Sequence, residues 1–178
     1  MLREKILSKK LLYAVLLTLL IYPFQASFSE EYYTIFKKGS WTVESVKYAE
    51  NDYGCLMFNG DSDLELRLIA DNNGMDLSIF YDNRPEINKS LKYFSFRIDN
   101  NMNWRDTGSY YDEGWLISNF DNYSDKDGKD FVREFRKGNK FYHLDDNFKV
   151  LSWFSLNGSS MAADKFGECV DKEGNYSD

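Results

Sequence analysis

Histidine is scarce in this 178-residue chain, which contains only one, His143. A single histidine cannot form a metal site built from several imidazoles, and no nucleophile elbow supplies it with a catalytic partner. On a strand, His143 and Asp145 would face the same side, which predicts no more than a modest pH-sensitive pair. No other complete catalytic signature occurs, so the sequence assigns no catalytic residue, metal or cofactor.

Long apolar runs are also scarce, since residues 11–24 form the only one that approaches a membrane span. A basic segment, 1–10, precedes this run and small residues at 25–29 follow it, an order typical of a secretory signal peptide. The alternative, a membrane anchor, needs about 20 apolar residues, and Pro23 interrupts this shorter run. The sequence predicts a signal peptide at 1–29, cleaved after Ala26 or Ser29, and a mature chain without stable membrane insertion.

Basic clusters are missing from the predicted mature region, 30–178. Removal of 1–29 takes away four basic residues and one acidic residue, which changes the formal net charge from −7 to −10. Nucleic-acid binding and attachment to anionic lipid both depend on lysine and arginine that neutralise phosphates. The charge balance therefore argues against both kinds of partner.

Cysteine occurs only twice, at Cys55 and Cys169, near opposite ends of the mature region. In an exported protein this arrangement predicts one disulfide. A reactive thiol is the alternative, but it would have to rely on His143 alone for activation. The disulfide hypothesis requires the two Cα atoms to lie within about 7 Å of each other.

Short apolar segments separated by polar turns dominate the rest of the chain. Leu64, Leu66 and Leu68 alternate with polar residues, and the turn at 71–74 leads into 75–81, which predicts a β-hairpin. Further strands are predicted at 41–49, 54–58, 93–99, 114–120, 140–144 and 148–156, with Trp104 on a short strand at a hairpin tip. The fold class is mainly β (β-rich α+β). We expect one secreted domain at 30–178, with its core at about 41–170, folded as a sandwich or small barrel.

Two short helices are predicted in this β-rich domain. The first covers 129–138, where Phe131, Val132 and Phe135 have helical spacing and Gly138 occupies the position of a C-cap glycine. The second is C-terminal, with an apolar face formed by Ala162, Ala163, Phe166, Cys169 and Val170. Ser159 or Ser160 is the predicted N-cap of this second helix, and neither serine has a base to activate it.

An acidic stretch before the first helix resembles a calcium-binding loop in part. Asp125, Asp127 and Glu134 fall at ligand positions of an EF-hand when Gly128 is aligned with its invariant glycine. Tyr123, however, occupies the first ligand position, and Lys129 opposes a cation. A solvated loop that caps the following helix is the preferred interpretation, and the three acids remain weak metal candidates.

The two ends of the mature region resemble the exported invasion-associated locus B family of alphaproteobacteria. The matching residues are Trp41, Val43, Cys55, Met57, Ser155, Leu156, Gly158, Ala162 and Ala163. The chain departs from that family at Ser159, where an aromatic residue is common. The resemblance implies a secreted or periplasmic β-rich domain linked to host association, without catalytic residues to carry over.

These observations favour an exported, non-enzymatic interaction protein of a host-associated Gram-negative bacterium. It would bind a protein partner, periplasmic or host, and a secreted effector or virulence-associated factor is one form of this. The alternatives are a hydrolase based on carboxylates in a surface cleft, and a calcium- or sugar-binding module. Aromatic residues make up 17% of the chain and suit core packing first, with a sugar- or peptide-binding surface as the second interpretation.

Overall fold

The computed structural model describes residues 30–49, 52–71, 74–82, 85–120 and 125–173. The predicted signal peptide lies outside these ranges. The strands are β1 (Glu31–Lys38), β2 (Trp41–Ala49), β3 (Asp52–Gly60), β4 (Leu64–Asp71), β5 (Gly74–Tyr81), β6 (Phe94–Ile98), β7 (Trp104–Asp106), β8 (Tyr110–Asp112), β9 (Trp115–Asn119), β10 (Lys140–Leu144) and β11 (Val150–Ser155). The helices are α1 (Pro85–Ser90), α2 (Asp125–Lys137) and α3 (Ser159–Glu173).

The strands form two antiparallel sheets, as expected for short alternating segments joined by turns. The larger sheet has seven strands in the order β1-β2-β3-β4-β5-β9-β8, and the smaller has the order β11-β10-β6-β7. The predicted hairpin is confirmed, with Leu68 opposite Leu77 in the β4–β5 ladder. The inner face of the larger sheet is buried and contains Val43, Cys55, Met57, Leu66, Leu68, Leu77, Ile79 and Leu116.

Aromatic residues fill the space between the two sheets. Phe96 on β6 lies at the centre, with its ring centroid 5.1 Å from Phe141 and 5.7 Å from Phe131 of α2. Asn59, although buried, is hydrogen-bonded, because its Nδ2 donates to the Ser155 carbonyl of the smaller sheet at 2.6 Å. Aromatic side chains therefore pack the core between the sheets, as predicted, and the hydrogen bond from Asn59 to Ser155 joins one sheet to the other.

The segment between β6 and β9 does not form the predicted hairpin tip. Trp104 lies on a short strand, as expected, but β7 pairs with β6 in the smaller sheet while β8 pairs with β9 in the larger one. The chain therefore passes from one sheet to the other here. Asp106 stabilises this passage, since its carboxylate accepts hydrogen bonds from the Ser118 hydroxyl at 2.7 Å and the Gly108 amide at 2.8 Å.

Helix α3 packs on β1, β2 and β3, and Cys169 on this helix is joined to Cys55 on β3 by a disulfide. The Cα atoms of the two cysteines are 6.0 Å apart, so the predicted pairing satisfies its distance criterion. No cysteine is free. The bond fastens the C-terminal helix to the inner face of the larger sheet.

The start of α3 differs from the prediction that Ser159 or Ser160 is its N-cap. Gly158, with a φ of 95°, is the N-cap, because its carbonyl accepts the first helical hydrogen bond from Ala162 at 3.1 Å. Ser159 is fully buried, and its hydroxyl donates to the Phe135 carbonyl of α2 at 2.8 Å. The hydroxyl thus satisfies an end carbonyl of the neighbouring helix.

Gly138 directly follows α2, as predicted, but it does not have the left-handed backbone of a C-cap glycine. Its amide donates to the Glu134 carbonyl at 2.8 Å, which continues the helical pattern. A Cβ at this position would lie 2.5 Å from Cγ2 of Ile98. Glycine is required here for close approach rather than for an unusual φ.

The mainly β fold class is confirmed, and the architecture is a sandwich of two sheets that do not close into a barrel. Both predicted helices are present, with the second at the C-terminal end of the described residues, and the six-residue α1 is an addition. Among the described residues, no helix is long and apolar enough to cross a bilayer.

Candidate functional site

A cleft of about 540 Å³ lies between α2 and α3, over the inner face of the seven-stranded sheet. We call it the α2–α3 cleft. Met57 and Leu68 from β3 and β4 form its floor, and one end reaches the β4–β5 hairpin. The α2 side is formed by Phe131, Val132, Phe135 and Arg136, and the α3 side by Ala163, Phe166, Gly167, Val170 and Asp171.

The α2 side of the cleft follows from the amphipathic sequence of this helix. Phe131 and Phe135, four residues apart, lie on one helical face and are buried against the core. Phe135 packs edge-on against Trp41 of β2, with ring centroids 5.4 Å apart. Val132, one position further round the helix, remains 42% exposed at the mouth of the cleft.

The α3 side is open because two of its lining residues, Ala163 and Gly167, have little or no side chain. Ala163 and Gly167 are four positions apart and therefore lie on one helical face, with Phe166 and Val170 beside them. A Cβ added to Gly167 would meet no atom within 4 Å. The cleft exists because side chains that would fill this space are absent from α3.

The lining of the cleft is mainly aliphatic and aromatic, with only a few polar groups. Small-molecule and side-chain binding sites typically have volumes of about 300–1,000 Å³ and this kind of lining. In the described part of the chain, three charged residues line the cleft, and two of them are Asp71 at the end of β4 and Asp171 near the end of α3. Arg136 is the third, and its guanidinium forms an ion pair with Asp164 of α3. The rim therefore has an acidic balance.

Hydrogen bonding and packing hold the two helices in fixed positions beside the cleft. The Ser159 hydroxyl bonds the Phe135 carbonyl of α2 at 2.8 Å, and the disulfide at Cys169 fastens α3 to β3. A cleft with walls held in this way needs little reorganisation to receive a ligand, which lowers the entropic cost of binding.

The three weak metal candidates lie on α2 rather than in a loop. Asp125 is the first residue of this helix, and its side chain is outside the described part of the chain. Glu134 accepts a hydrogen bond from the Trp104 indole nitrogen at 3.3 Å. Asp127 lies more than one turn before Glu134. Within the described ranges, no group of three metal-binding side chains comes together.

His143 is not paired with Asp145 as predicted. It points between the sheets, where its Nδ1 lies 2.9 Å from the Tyr81 hydroxyl, and that hydroxyl also lies 2.5 Å from the hydroxyl of Ser152. Asp145 instead accepts amide hydrogen bonds from Asn147 and Lys149 in the β10–β11 turn, each at 2.8 Å. The predicted pair fails because Asp145 lies beyond the end of β10, where the turn redirects it.

Burial determines the charge state of His143. The side chain is fully buried, and the loss of hydration lowers its pKa from 6.5 to about 3. The imidazole is therefore neutral at physiological pH. In this position His143 is a buried structural residue between the sheets rather than a surface acid or base.

Sequence reasoning did not identify the α2–α3 cleft. The apolar face predicted for α3, which includes Ala162, Phe166 and Cys169, is correct and buried. Gly167 is the one local signal, because a glycine inside a helix costs up to about 1 kcal/mol relative to alanine and leaves a gap on the helix surface. The position of α2 opposite this glycine depends on tertiary packing and has no local signature.

Comparison with protein-family models, characterised proteins and solved structures finds no match for this chain. The resemblance to the invasion-associated locus B family therefore stays a prediction. The residues that carry it meet in the fold, since a Cβ added to Gly158 would lie 3.5 Å from the Trp41 ring. The disulfide between Cys55 and Cys169 joins the same two segments at a second point.

Proposed function

We propose that this protein is an exported, non-enzymatic binding protein that receives an apolar segment of a basic protein partner in the α2–α3 cleft. The supporting observation is an open cleft of about 540 Å³ with an apolar lining and an acidic rim. Apolar side chains of the partner would gain about 25 cal/mol for each Å² of surface they bury there.

The charges around the cleft favour a cationic ligand over a carboxylate-bearing one such as a fatty acid. A fatty-acid site needs a cation for the carboxylate, and Arg136, the one cationic residue among the described residues of the lining, forms an ion pair with Asp164. The carboxylates of Asp71 and Asp171, set against this one guanidinium, make the described lining net negative, which favours lysine or arginine over an acidic group beside the apolar segment. The net charge of −7, or −10 for the region after residue 29, adds a long-range attraction for a basic partner.

The disulfide supports a location in an oxidising compartment, since such bonds are rare in the reducing cytosol. The predicted signal peptide is consistent with export to the periplasm or beyond. On the family resemblance, the producing organism is a host-associated Gram-negative bacterium, and a secreted effector or virulence-associated factor is one form of the protein.

A binding role also suits the environment of the single histidine. His143 is buried, neutral and hydrogen-bonded to Tyr81, and it lies between the sheets rather than at the α2–α3 cleft. Among the residues that the structure describes, the cleft lining contains two carboxylates, Asp71 and Asp171, and no serine, cysteine or histidine. Its chemistry therefore supports recognition of apolar and cationic groups.

Fluorescence anisotropy with two labelled peptides tests this proposal on the purified disulfide-bonded protein. The peptides share a central pair of leucines and differ only in flanking lysines or glutamates. We expect the lysine-flanked peptide to bind at least tenfold more tightly, a difference of about 1.4 kcal/mol, and its affinity to fall as salt is added. The double variant Asp71→Asn/Asp171→Asn should remove most of this preference.

Equal affinity for the two peptides would contradict the assigned charge of the partner. Absence of binding by both would contradict the assigned peptide ligand. Matching far-UV circular dichroism of the double variant and the unmodified protein provides the folding control.

A further inference from the structure

Strand β1, with eight residues, is the longest edge strand of the two sheets in the described part of the chain, and its side chains are the most exposed of any strand of comparable length. It pairs with β2 on one side and forms an outer edge of the seven-stranded sheet. The opposite edge, β8, has three residues, whereas β1 has eight. In an antiparallel ladder, alternate residues direct their backbone N–H and C=O groups away from the paired strand. Those groups on β1 can accept another strand.

Apolar side chains accompany this open edge. Three of them lie within four positions of β1: Tyr32, Tyr33 and Ile35 are 51%, 54% and 47% exposed. Exposed aromatic and β-branched residues on an edge strand favour pairing with a further strand, since cross-strand contacts between such residues are stabilising. The edge thus combines unpaired backbone with apolar surface.

The charges of β1 are divided between its two ends. Glu31 begins the strand and Glu30 directly precedes it, whereas Lys37 and Lys38 stand at the end. An antiparallel neighbour with the same sequence places its lysines beside these glutamates and its glutamates beside these lysines. A parallel copy would place like charges together, so the charge pattern favours the antiparallel arrangement alone.

We propose that β1 pairs antiparallel with β1 of a second copy of this chain. The two seven-stranded sheets then form one continuous sheet across a two-fold axis, an arrangement in which each copy presents the same surface. The second copy is the favoured occupant because β1 is complementary in charge to itself. This inference rests on β1 and is independent of the ligand assigned to the α2–α3 cleft.

Two features of β1 resemble devices that protect sheet edges, and both are compatible with self-pairing. Lysines on an edge usually repel a neighbouring strand, but here Lys37 and Lys38 meet the acidic end of the other copy. A bulge between Thr34 and Phe36 interrupts the ladder with β2. Regular pairs lie on both sides of it, so a second copy has two regular segments to join.

Sedimentation velocity of the purified protein, expressed from the full chain, tests self-pairing over a range of protein concentrations. The unmodified protein should shift from monomer to dimer as its concentration rises. Glu30→Lys/Glu31→Lys makes both ends of β1 basic, and Lys37→Glu/Lys38→Glu makes both ends acidic. Each variant alone should dimerise at least tenfold more weakly, because like charges then face each other.

Mixing the two variants is the decisive experiment, because a basic β1 and an acidic β1 are complementary in charge. We expect a one-to-one heterodimer, and we expect the variant with all four reversals to dimerise like the unmodified protein. Unchanged far-UV circular dichroism and an intact Cys55–Cys169 disulfide show that each variant is folded. A monomer at all concentrations, or variants that dimerise alone as strongly as in the mixture, would overturn the proposal.

Discussion

Cys169 of α3 and Cys55 of β3 are joined across 114 residues of sequence, with their Cα atoms 6.0 Å apart. The bond connects the C-terminal helix to the inner face of the larger sheet, where Cys55 lies opposite Ala70 of β4. Ala70 also lines the α2–α3 cleft. The same bond therefore closes the fold and holds one side of the candidate binding site.

Loss of this disulfide should strongly destabilise the protein. A bond that closes a loop of more than 100 residues reduces the entropy of the unfolded chain, which contributes about 4–5 kcal/mol in the chain-entropy model. We expect Cys55→Ala/Cys169→Ala to lose about this free energy of unfolding, as measured by urea denaturation. A loss below about 1 kcal/mol would show that packing alone holds α3 on the sheet.

Acidification should destabilise the fold through His143. The unfolded chain takes up a proton near pH 6.5, whereas the folded chain does so only near the lowered pKa of about 3. The unfolded state therefore binds more protons between these values, so stability is complete above pH 6.5 and falls as pH decreases toward 3. We expect a loss of about 2 kcal/mol between pH 7 and pH 5 in denaturant titrations.

The variant His143→Gln provides the control for this pH dependence. Glutamine keeps an uncharged hydrogen-bonding side chain beside Tyr81 but has no proton to gain in this range. Because His143 is the only histidine in the chain, its replacement should flatten stability between pH 7 and pH 5. An unchanged slope in the variant would mean that other groups cause the loss.

Substitution by alanine should change the free energy of unfolding in opposite directions at Gly138, which follows α2, and at Gly167, which lies within α3. At Gly138 the new Cβ would lie 2.5 Å from Ile98 Cγ2 and 2.9 Å from the Glu134 carbonyl oxygen, which predicts a loss of about 1–3 kcal/mol. At Gly167 it would meet nothing within 4 Å, and alanine should stabilise the helix by about 0.5–1 kcal/mol. Thermal unfolding of the two variants measures both effects, and changes of the same sign would contradict this assignment.

The sequence predicts elements well where one face of a strand or helix is buried. Strand β2, with Trp41 and Val43 facing the core, has the bounds predicted for it, and so does β10. Strand β1 was not predicted, because its side chains are exposed on both faces and therefore show no alternation. The six-residue α1 is short and has no apolar periodicity to indicate it.

Contacts between distant residues account for most of the errors at candidate sites. Ser159 has a residue type suited to an N-cap, but its hydroxyl bonds Phe135, which lies 24 positions earlier. His143 has an adjacent acid in sequence, but its partner is Tyr81, 62 positions away. The α2–α3 cleft likewise depends on how two helices pack on a sheet, which no local pattern of residues specifies.

The central claim is that the α2–α3 cleft binds an apolar segment, and two matched glycine variants test it most directly. Gly167 in α3 lines the cleft, whereas Gly128 in α2 does not, and a Cβ added at either position meets no atom within 4 Å. Leucine at position 167 should fill the cleft, while leucine at position 128 should leave it open. The measurement is the affinity of the lysine-flanked peptide for Gly167→Leu and for Gly128→Leu. We expect at least a tenfold loss of affinity for Gly167→Leu and no change for Gly128→Leu. Equal affinities for the two variants would contradict the binding of an apolar segment in the α2–α3 cleft.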